Sequence, residues 1–350
     1  VTALGGGETE VYRQIRNAVP LLDAAIGKLV RLTGGFDVCC ANPAAERALR
    51  QFLKSVNVGR GQVGIESFLA AFLQSMLVYG RAVGEMVVGG NEITAVLWGD
   101  VTKLYVQEGS SPMDFAFGQW QDAEGKIFPR QNLILFAAWN PDEENPYGAS
   151  VFRSMPFLVD VLLKIYSTIG TNWERAGNVR YSVVYKPGDA SGQIDAQERS
   201  EQIAEQWSQA MQESRHGVVR DFVAVGDVQI KVIGADGQIL DSEVPVRQIL
   251  EQLVAKTGLP PFLLGLNWAS TERMSAQQTD LLTSELWAIR RTVEPVLLRI
   301  CRLWMQLHGY AEEPEIVWDE ISLQDIVEQA HAALYRAQAE KLTAEQEETT

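Results

Sequence analysis

Cysteine, histidine and positive charge are scarce in this chain of 350 residues, which has three cysteines, three histidines and 30 basic against 45 acidic side chains. Cys39 and Cys40 are adjacent and cannot easily bond to each other, and Cys301 falls on the apolar side of a predicted helix. This pattern speaks for a reducing compartment and against a disulfide framework or a metal knuckle. His216, His308 and His331 lie far apart and none has a second histidine three or four residues on, which argues against a histidine-rich metal site. A formal net charge of −15 makes a free monomer repel nucleic acid at long range, so the chain is not built to grip phosphates. Long hydrophobic runs are also missing. Phe68–Tyr79 and Phe157–Ile169 fall short of a bilayer span, and Asp160 and Lys164 interrupt the second, so no membrane partner is expected. Val1–Glu10 is glycine-rich and acidic, without the basic flank and apolar core of a secretory signal, and synthesis in the cytosol is expected. A Gly-x-x-x-x-Gly-Lys-Ser/Thr loop is absent as well.

What is present describes a globular α+β chain, 46% apolar and 21% charged, long enough for two or three substructures of about 150 residues each. Residues 11–32 and 43–56 read as helices, the second with Asn42 as N-cap and Pro43 at the first helical position. Ile65, Phe68, Leu69, Phe72, Leu73, Met76 and Leu77 continue with helical period. From Arg81 to Ala137 short Val-, Ile- and aromatic-rich runs alternate with glycine-containing turns and no helix, which predicts one antiparallel meander. Residues 140–146 are a loop by composition. A long helix is predicted from about Ser150 to Ala176, with Phe157, Leu158, Val161, Leu162, Ile165 and Ile169 as its stripe. A strand at Tyr181–Tyr185, a polar helix at Asp195–Ser214 and β structure over Val218–Ile233 make an inserted unit of about 65 residues between two helices. From Glu312 onward 11 acidic residues face only Arg336 and Lys341, and the last dozen residues read as frayed helix or disorder.

Gly59-Arg60-Gly61-Gln62-Val63-Gly64 satisfies the dinucleotide-binding spacing, with Glu85 about 20 residues further on, and is the strongest case for a nucleotide-dependent enzyme. That fingerprint needs a buried strand before its first glycine and a parallel strand ending near the acid. Here the preceding residues look helical and Glu85 falls inside the meander, so a flexible helix–helix linker accounts for it better. Glu143-Glu144 and Glu312-Glu313 read as solvated charge, and neither Ser67 nor Ser154 comes with a base that would make it a nucleophile. Trp207, alone among Gln and Glu, lacks the basic interleaving of a nucleic-acid stacking platform and reads as an anchor.

The most informative stretch is Thr257–Gly265. Val246, Ile249, Leu250, Leu253 and Val254 lead an amphipathic helix into Gly258, and Pro260 and Pro261 stop it. A polar loop, Asn267-Trp268-Ala269-Ser270-Thr271, precedes a second helical pattern from about Arg273 to His308 that carries Pro295 inside it, where a kink is expected. Leu281, Leu282, Leu286, Ile289, Val293, Val296, Leu297 and Ile300 form its apolar face, which is either core or a seam between subunits.

In this order of elements the sequence resembles the portal proteins of tailed bacteriophages, in particular the HK97-like branch. Tyr147-Gly148-Ala149-Ser150-Val151-Phe152 looks like that family's passage from wing to stem, and Glu174–Asn178 like the end of its first stem helix. Ile194–Met211, with Trp207, and the Gly-Leu-Pro-Pro-Phe-Leu-Leu-Gly turn are similar as well. The resemblance spans roughly residues 65 to 308. It implies a portal-like α+β fold: a wing over 1–149, stem helices at 150–177 and 243–257, a small α/β clip over 178–242 and a tunnel loop over 258–272. The kinked wing helix then covers 273–308, and 309–350 is a crown or acidic tail.

It also implies a twelve-fold ring at one capsid vertex, a structural protein without catalytic residues, metal or cofactor. DNA would pass through the ring and meet Asn267, Trp268, Ser270, Thr271 and Glu272, with Trp268 bracing the loop against a neighbouring subunit or pressing on the DNA backbone. Terminase, major capsid or scaffold protein and a head–tail adaptor are the implied partners, in the host cytoplasm during assembly and then in the virion. With no ATPase loop in the chain, the energy that moves DNA comes from a partner. Acidity suits a conduit: a ring of twelve carries about −180 before counterions, whereas a basic lining would hold DNA by successive phosphate contacts. The rivals are a soluble enzyme using Gly59–Gly64 and another ring-forming head–tail connector.

Overall fold

The computed structural model describes residues 1–111, 113–121, 124–177, 180–186, 198, 201–202, 204–205, 208, 227–233, 242–266 and 272–321. The chain divides into two compact units, Val1–Asp160 with Arg247–Thr350, and Val161–Val246.

The first unit opens with strand β1 (Thr2–Ala3) and helices α1 (Gly7–Ala18) and α2 (Pro20–Thr33). The single helix expected over 11–32 is therefore two. Val19 is extended at φ −119°, and Pro20, which has no N–H to lose, starts α2 at its first position. Strand β2 (Phe36–Cys39) leads into α3 (Pro43–Ser55), where the Asn42 side chain accepts from the amides of Ala44 and Ala45 as its sequence predicts. After the short strands β3 (Asn57–Gly59) and β4 (Gln62–Val63), α4 (Ile65–Tyr79) buries Phe68, Leu69, Phe72, Leu73, Met76 and Leu77 and ends at Gly80, which is left-handed at φ 78°.

The region read as one meander is split between two sheets. Strands β5 (Arg81–Gly89) and β6 (Glu92–Trp98) pair antiparallel, but the chain then leaves that sheet through Gly99 and a 3-10 turn capped by Asp100. Strands β7 (Leu104–Glu108), β8 (Phe115–Gln121) and β9 (Glu124–Ile127) build a second sheet in the order β1-β7-β8-β9. Strand β10 (Ile134–Ala138) returns to the first, giving β10-β5-β6-β3-β4. Gln131 ties the return, accepting from the Phe117 amide and donating to the Phe117 carbonyl, both at 2.8 Å. Leu4, Val83, Val101, Leu104, Val106, Phe117 and Ile134, drawn from both sheets and their connections, form one buried cluster.

Helix α5 (Pro156–Gly177) starts six residues later than the expected Ser150, because 151–154 are a turn with Ser154 at φ 73° and Pro156 opens the helix. Val159 and Leu162 are buried, whereas Phe157 is 74% exposed and stands outside the stripe assigned to it. Helix α6 (Glu243–Thr257) buries Ile249, Leu253, Val254 and Thr257. Helix α7 (Glu272–Leu307) is 36 residues long and continues through Pro295. Leu282, Leu286, Ile289, Val293, Val296, Leu297 and Ile300 are buried, and the helix packs on α2, α3 and β10, so this face is core; Leu281 alone of the set is exposed. Strand β13 (Glu315–Trp318) returns to pair with β2.

In the second unit, strands β11 (Arg180–Lys186) and β12 (Asp227–Ile233) pair antiparallel without a register break, from Arg180↔Ile233 to Lys186↔Asp227. The polar helix expected over 195–214 lies largely outside the described residues, as do Trp207 and His216.

Candidate functional site

The turn after α6 is held by hydrogen bonds that its sequence makes possible. Gly258 takes φ 73°, which an L side chain adopts only with strain. The Thr257 hydroxyl donates to the Val254 carbonyl at 2.7 Å and accepts from the Leu259 amide at 3.3 Å. Leu259 and Pro260 are buried. Pro261–Leu264 then form a 3-10 turn closed by Leu263 N–H to Pro260 O and Gly265 N–H to Phe262 O, each 3.1 Å, with Gly265 left-handed at φ 76°. This turn packs on α2. Gly258, Pro260 and Pro261 therefore lie in a turn fixed by main-chain hydrogen bonds and by packing on α2. Asn267, Trp268, Ser270 and Thr271 lie outside the described residues, and Glu272 is the first residue of α7.

A second joint precedes α5, and its main-chain contacts are closer than side chains allow. Gly148 has φ 98°, and a Cβ there would lie 2.0 Å from the Gly80 carbonyl oxygen and 2.9 Å from the Trp139 nitrogen. A Cβ on Gly80 would meet the Ala149 carbonyl carbon at 2.5 Å. The freed space lets Trp139 N–H reach Gly80 O and Ala149 N–H reach Trp139 O, both at 2.7 Å. Ser150, buried, donates to Val78 O at 2.5 Å and accepts from the Phe152 amide at 2.9 Å, while Arg81 donates to Gly148 O at 3.2 Å. Helix α4, strand β5 and the approach to α5 are thereby locked together. Sequence reading identified the 147–152 motif but not this contact; its signal was the pair of glycines, Gly80 and Gly148, each bounding a predicted element.

A cavity of about 330 Å³ lies against both joints, lined by Trp139, Asp142, Arg153, Lys256, Gly258 and Glu285 among others. The loop over 140–145, read as solvated charge, is organised by Arg153, which pairs with Asp142 and with Glu144 at 2.8 Å. Hydrogen bonds from the Asn145 side chain and from Arg153 hold the Asp142 carboxyl down at about 2.

The other sequence-level candidates also have definite places. Gly59–Gly64 is a β-hairpin, not a linker: Asn57 pairs with Val63 and Gly59 with Gln62 across a turn in which Arg60 takes φ 52° and Gly61 φ 76°. Strand β4 stands between the first glycine and α4, and Glu85 lies on β5 between two antiparallel partners, so the strand–turn–helix that cradles a pyrophosphate is not formed. Ser67 donates to Val63 O at 3.3 Å and Ser154 to Arg153 O. Glu313 pairs with Arg302 at 2.7 Å, and Glu312 accepts from Asn42 at 3.3 Å. Cys301 is buried, which pushes its thiol up to about 12, and all three cysteines are unpaired. No helix among the described residues is long and apolar enough to cross a membrane, and none of their side chains form a cluster of three metal ligands.

The first unit is thus an α+β body whose two larger sheets are antiparallel except where β3 and β6 run parallel, and it carries a 36-residue helix. No family model and no curated protein matches the sequence. Among solved structures, a chain in the neck of a native gene transfer agent particle computed with C12 symmetry matches at TM-score 0.67 and 17% identity, over 95% of this chain and 89% of that one. A chain in the neck of the empty particle computed with C6 symmetry matches at TM-score 0.68 and 18% identity, over 96% and 90%. An HK97 family phage portal protein from Corynebacterium diphtheriae follows at TM-score 0.46 and 10% identity, over 87% and 95%, too loose a superposition to argue from. The likeness to phage-type head–neck proteins expected from the sequence is met at the level of the fold.

Proposed function

We propose that this chain is a phage portal subunit, forming a ring at one capsid vertex through which the genome is packaged and ejected. One observation carries the reading: a match along nearly the whole length to a chain in the neck of a gene transfer agent particle, computed with C12 symmetry. In this reading residues 178–242 are the clip that docks terminase and later a head–tail adaptor, and the wing, 1–149, meets capsid or scaffold protein. Residues 258–272 are the tunnel loop, which projects Asn267, Trp268, Ser270 and Thr271 toward DNA from the rigid Gly258–Gly265 base. The short polar groups of that loop, without a basic side chain, suit weak contact independent of DNA register. The acidity of the chain, −15 per copy, suits a conduit that DNA must not stick to. The subunit works in the virion, after assembly in the host cytoplasm.

The test is the mass and shape of purified protein. Annular particles of about 12 or 13 subunits by native mass spectrometry and negative-stain imaging are expected, since closed cyclic symmetry limits a heterologous contact to a ring. A strictly monomeric species across protein concentration and salt, unchanged by scaffold or capsid protein, would refute it. The enzyme reading is separated by calorimetry. Micromolar binding of NAD or ATP to the wild-type chain, lost in Gly61→Ala, would replace the portal assignment. A connector other than the portal itself is separated by whether the rings recruit terminase.

A further inference from the structure

After α7 the chain turns at Gly309 and runs back as a strap, 310–320, against α7 and β2. The strap buries little of its own: Pro314 is its one buried residue, Tyr310, Glu312, Ile316 and Trp318 are half-buried, and Glu315, Val317 and Asp319 face solvent. Its ladder with β2 is four residues long, Glu315↔Cys39 to Trp318↔Phe36, in a sheet of two strands, which alone is marginal in water.

Its end is held by side chains of α7, with Arg290 at their centre. Arg290 is 1% exposed, and the rings of Trp287 and of the strap's Trp318 both lie over its guanidinium, at 5.0 and 5.1 Å. Trp318 also donates to the Glu294 carboxylate at 2.9 Å and packs at 5.7 Å on Phe36. Asp319 makes two bonds of 3.1 Å with Gly35: its amide donates to the Gly35 carbonyl, and its carboxylate accepts from the Gly35 amide. Side chains at Gly34 and Gly35 would crowd these groups. A Cβ on Gly35 would sit 2.8 Å from the Asp319 carboxylate, and one on Gly34 3.1 Å from an Arg290 nitrogen.

The closed arrangement leaves a debt. Arg290 donates from Nε to the Thr33 carbonyl at 2.8 Å, but its Nη1 is buried and has no hydrogen-bond partner among the described residues. A guanidinium nitrogen hidden from water without an acceptor opposes burial, whereas the two indoles and the short ladder favour it. Opening the strap would return water to that nitrogen. The two tendencies meet on one residue, while the core of α7 beneath does not depend on the strap.

We propose that residues 310–320 are a releasable latch whose catch is Arg290: the strap opens as a unit while α7 stays folded, uncovering the buried guanidinium. The latch belongs to the subunit itself and holds whether or not that subunit forms rings.

Hydrogen exchange on the full chain, read by mass spectrometry, tests it by comparing peptides from 310–321 with peptides from 286–305. Strap amides are expected to exchange at least about tenfold faster than those of α7, by local opening. Trp318→Ala should accelerate the strap by about a further tenfold and leave α7 unchanged. Arg290→Met keeps a long apolar stem between the indoles and removes the buried unpaired nitrogen, so the strap should exchange more slowly than in the wild type. Strap and α7 exchanging at one rate in the wild-type chain would overturn the latch. So would an Arg290→Met strap that opens faster than the wild type, since the cation would then be plain adhesive.

Discussion

Replacing Gly148 by alanine tests the idea that the approach to α5 is set by contact between main chains. At φ 98° a side chain sits in a region that L residues occupy only under strain, at a cost of about 1–3 kcal/mol. The new methyl would lie 2.0 Å from Gly80 O, a main-chain atom that itself accepts the 2.7 Å bond from Trp139. No flexible side chain can swing away, so relief requires shifting β5 or breaking that bond, which adds about 1–3 kcal/mol of overpacking. The sum, about 2–6 kcal/mol, is a large share of the roughly 5–15 kcal/mol by which domains are stable. At about 2–4 °C per kcal/mol for a domain of this size it lowers the melting temperature by roughly 5–20 °C. Thermal and urea unfolding of wild type, Gly148→Ala and Gly61→Ala would measure it. Gly61 is the control, since it also has positive φ, 76°, but nothing within 4 Å of its missing Cβ. If the two variants agree within about 0.5 kcal/mol, a difference too small to be a clash, the junction is not sterically locked and the reasoning fails.

The Asp142 carboxyl, held at about 2, lies below its unfolded value of about 3.9, so its stabilisation is present above about pH 4 and disappears as pH falls towards 2. Arg153→Ala should move an NMR titration of Asp142 partway back up, the Asn145 bonds keeping the rest of the depression; an unmoved midpoint would mean the ion pair does not form in solution. Pro295→Ala restores an N–H for the Arg291 carbonyl and should stabilise α7 by up to about 3 kcal/mol in thermal unfolding, while impairing packaging if the bend is used. Normal packaging by a variant with a straightened helix would make the proline incidental. Removing Ala269–Thr271 should leave rings intact by electron microscopy and reduce the DNA packaged or retained in filled heads. Full-length DNA, normally packaged and retained, would remove the tunnel-loop role while leaving the portal reading standing.

Local chemistry was legible from end to end. Asn42-Pro43 announces the start of α3 because a cap and its amides are two or three residues apart, and Gly258 announces the end of α6 because a left-handed residue is needed within one turn. Pro20 was harder. A helical stripe runs through it unbroken, and whether a proline starts a helix or interrupts one depends on whether Val19 turns extended, as it does here. Strand β1 was invisible because two residues carry no period, and it exists only where Val106 and Tyr105 offer an edge. The hairpin at Gly59–Gly64 was hidden for a similar reason, since each of its strands is at most three residues long and is recognised by its pairing.

By itself, the sequence determined the start of α3, the end of α6, the α+β class and the net acidity of the chain, all of which depend on composition or on residues within a turn of one another. Tertiary structure alone decided which strands share a sheet. Periodicity says that a strand has a buried face but not which partner covers it, so β7–β9 left the sheet of β5 and β6 and β10 came back to it. The apolar face of α7 was settled in the same way. Leu282 to Ile300 have the same spacing whether a neighbouring subunit or α2, α3 and β10 cover them, and only the packed chain places them in its own core. Arg290 is the extreme case: Leu286, Val293 and Leu297 put its position on the apolar face, but Thr33 and Trp318, which enclose a charged side chain there, are brought in by the fold from positions remote in sequence.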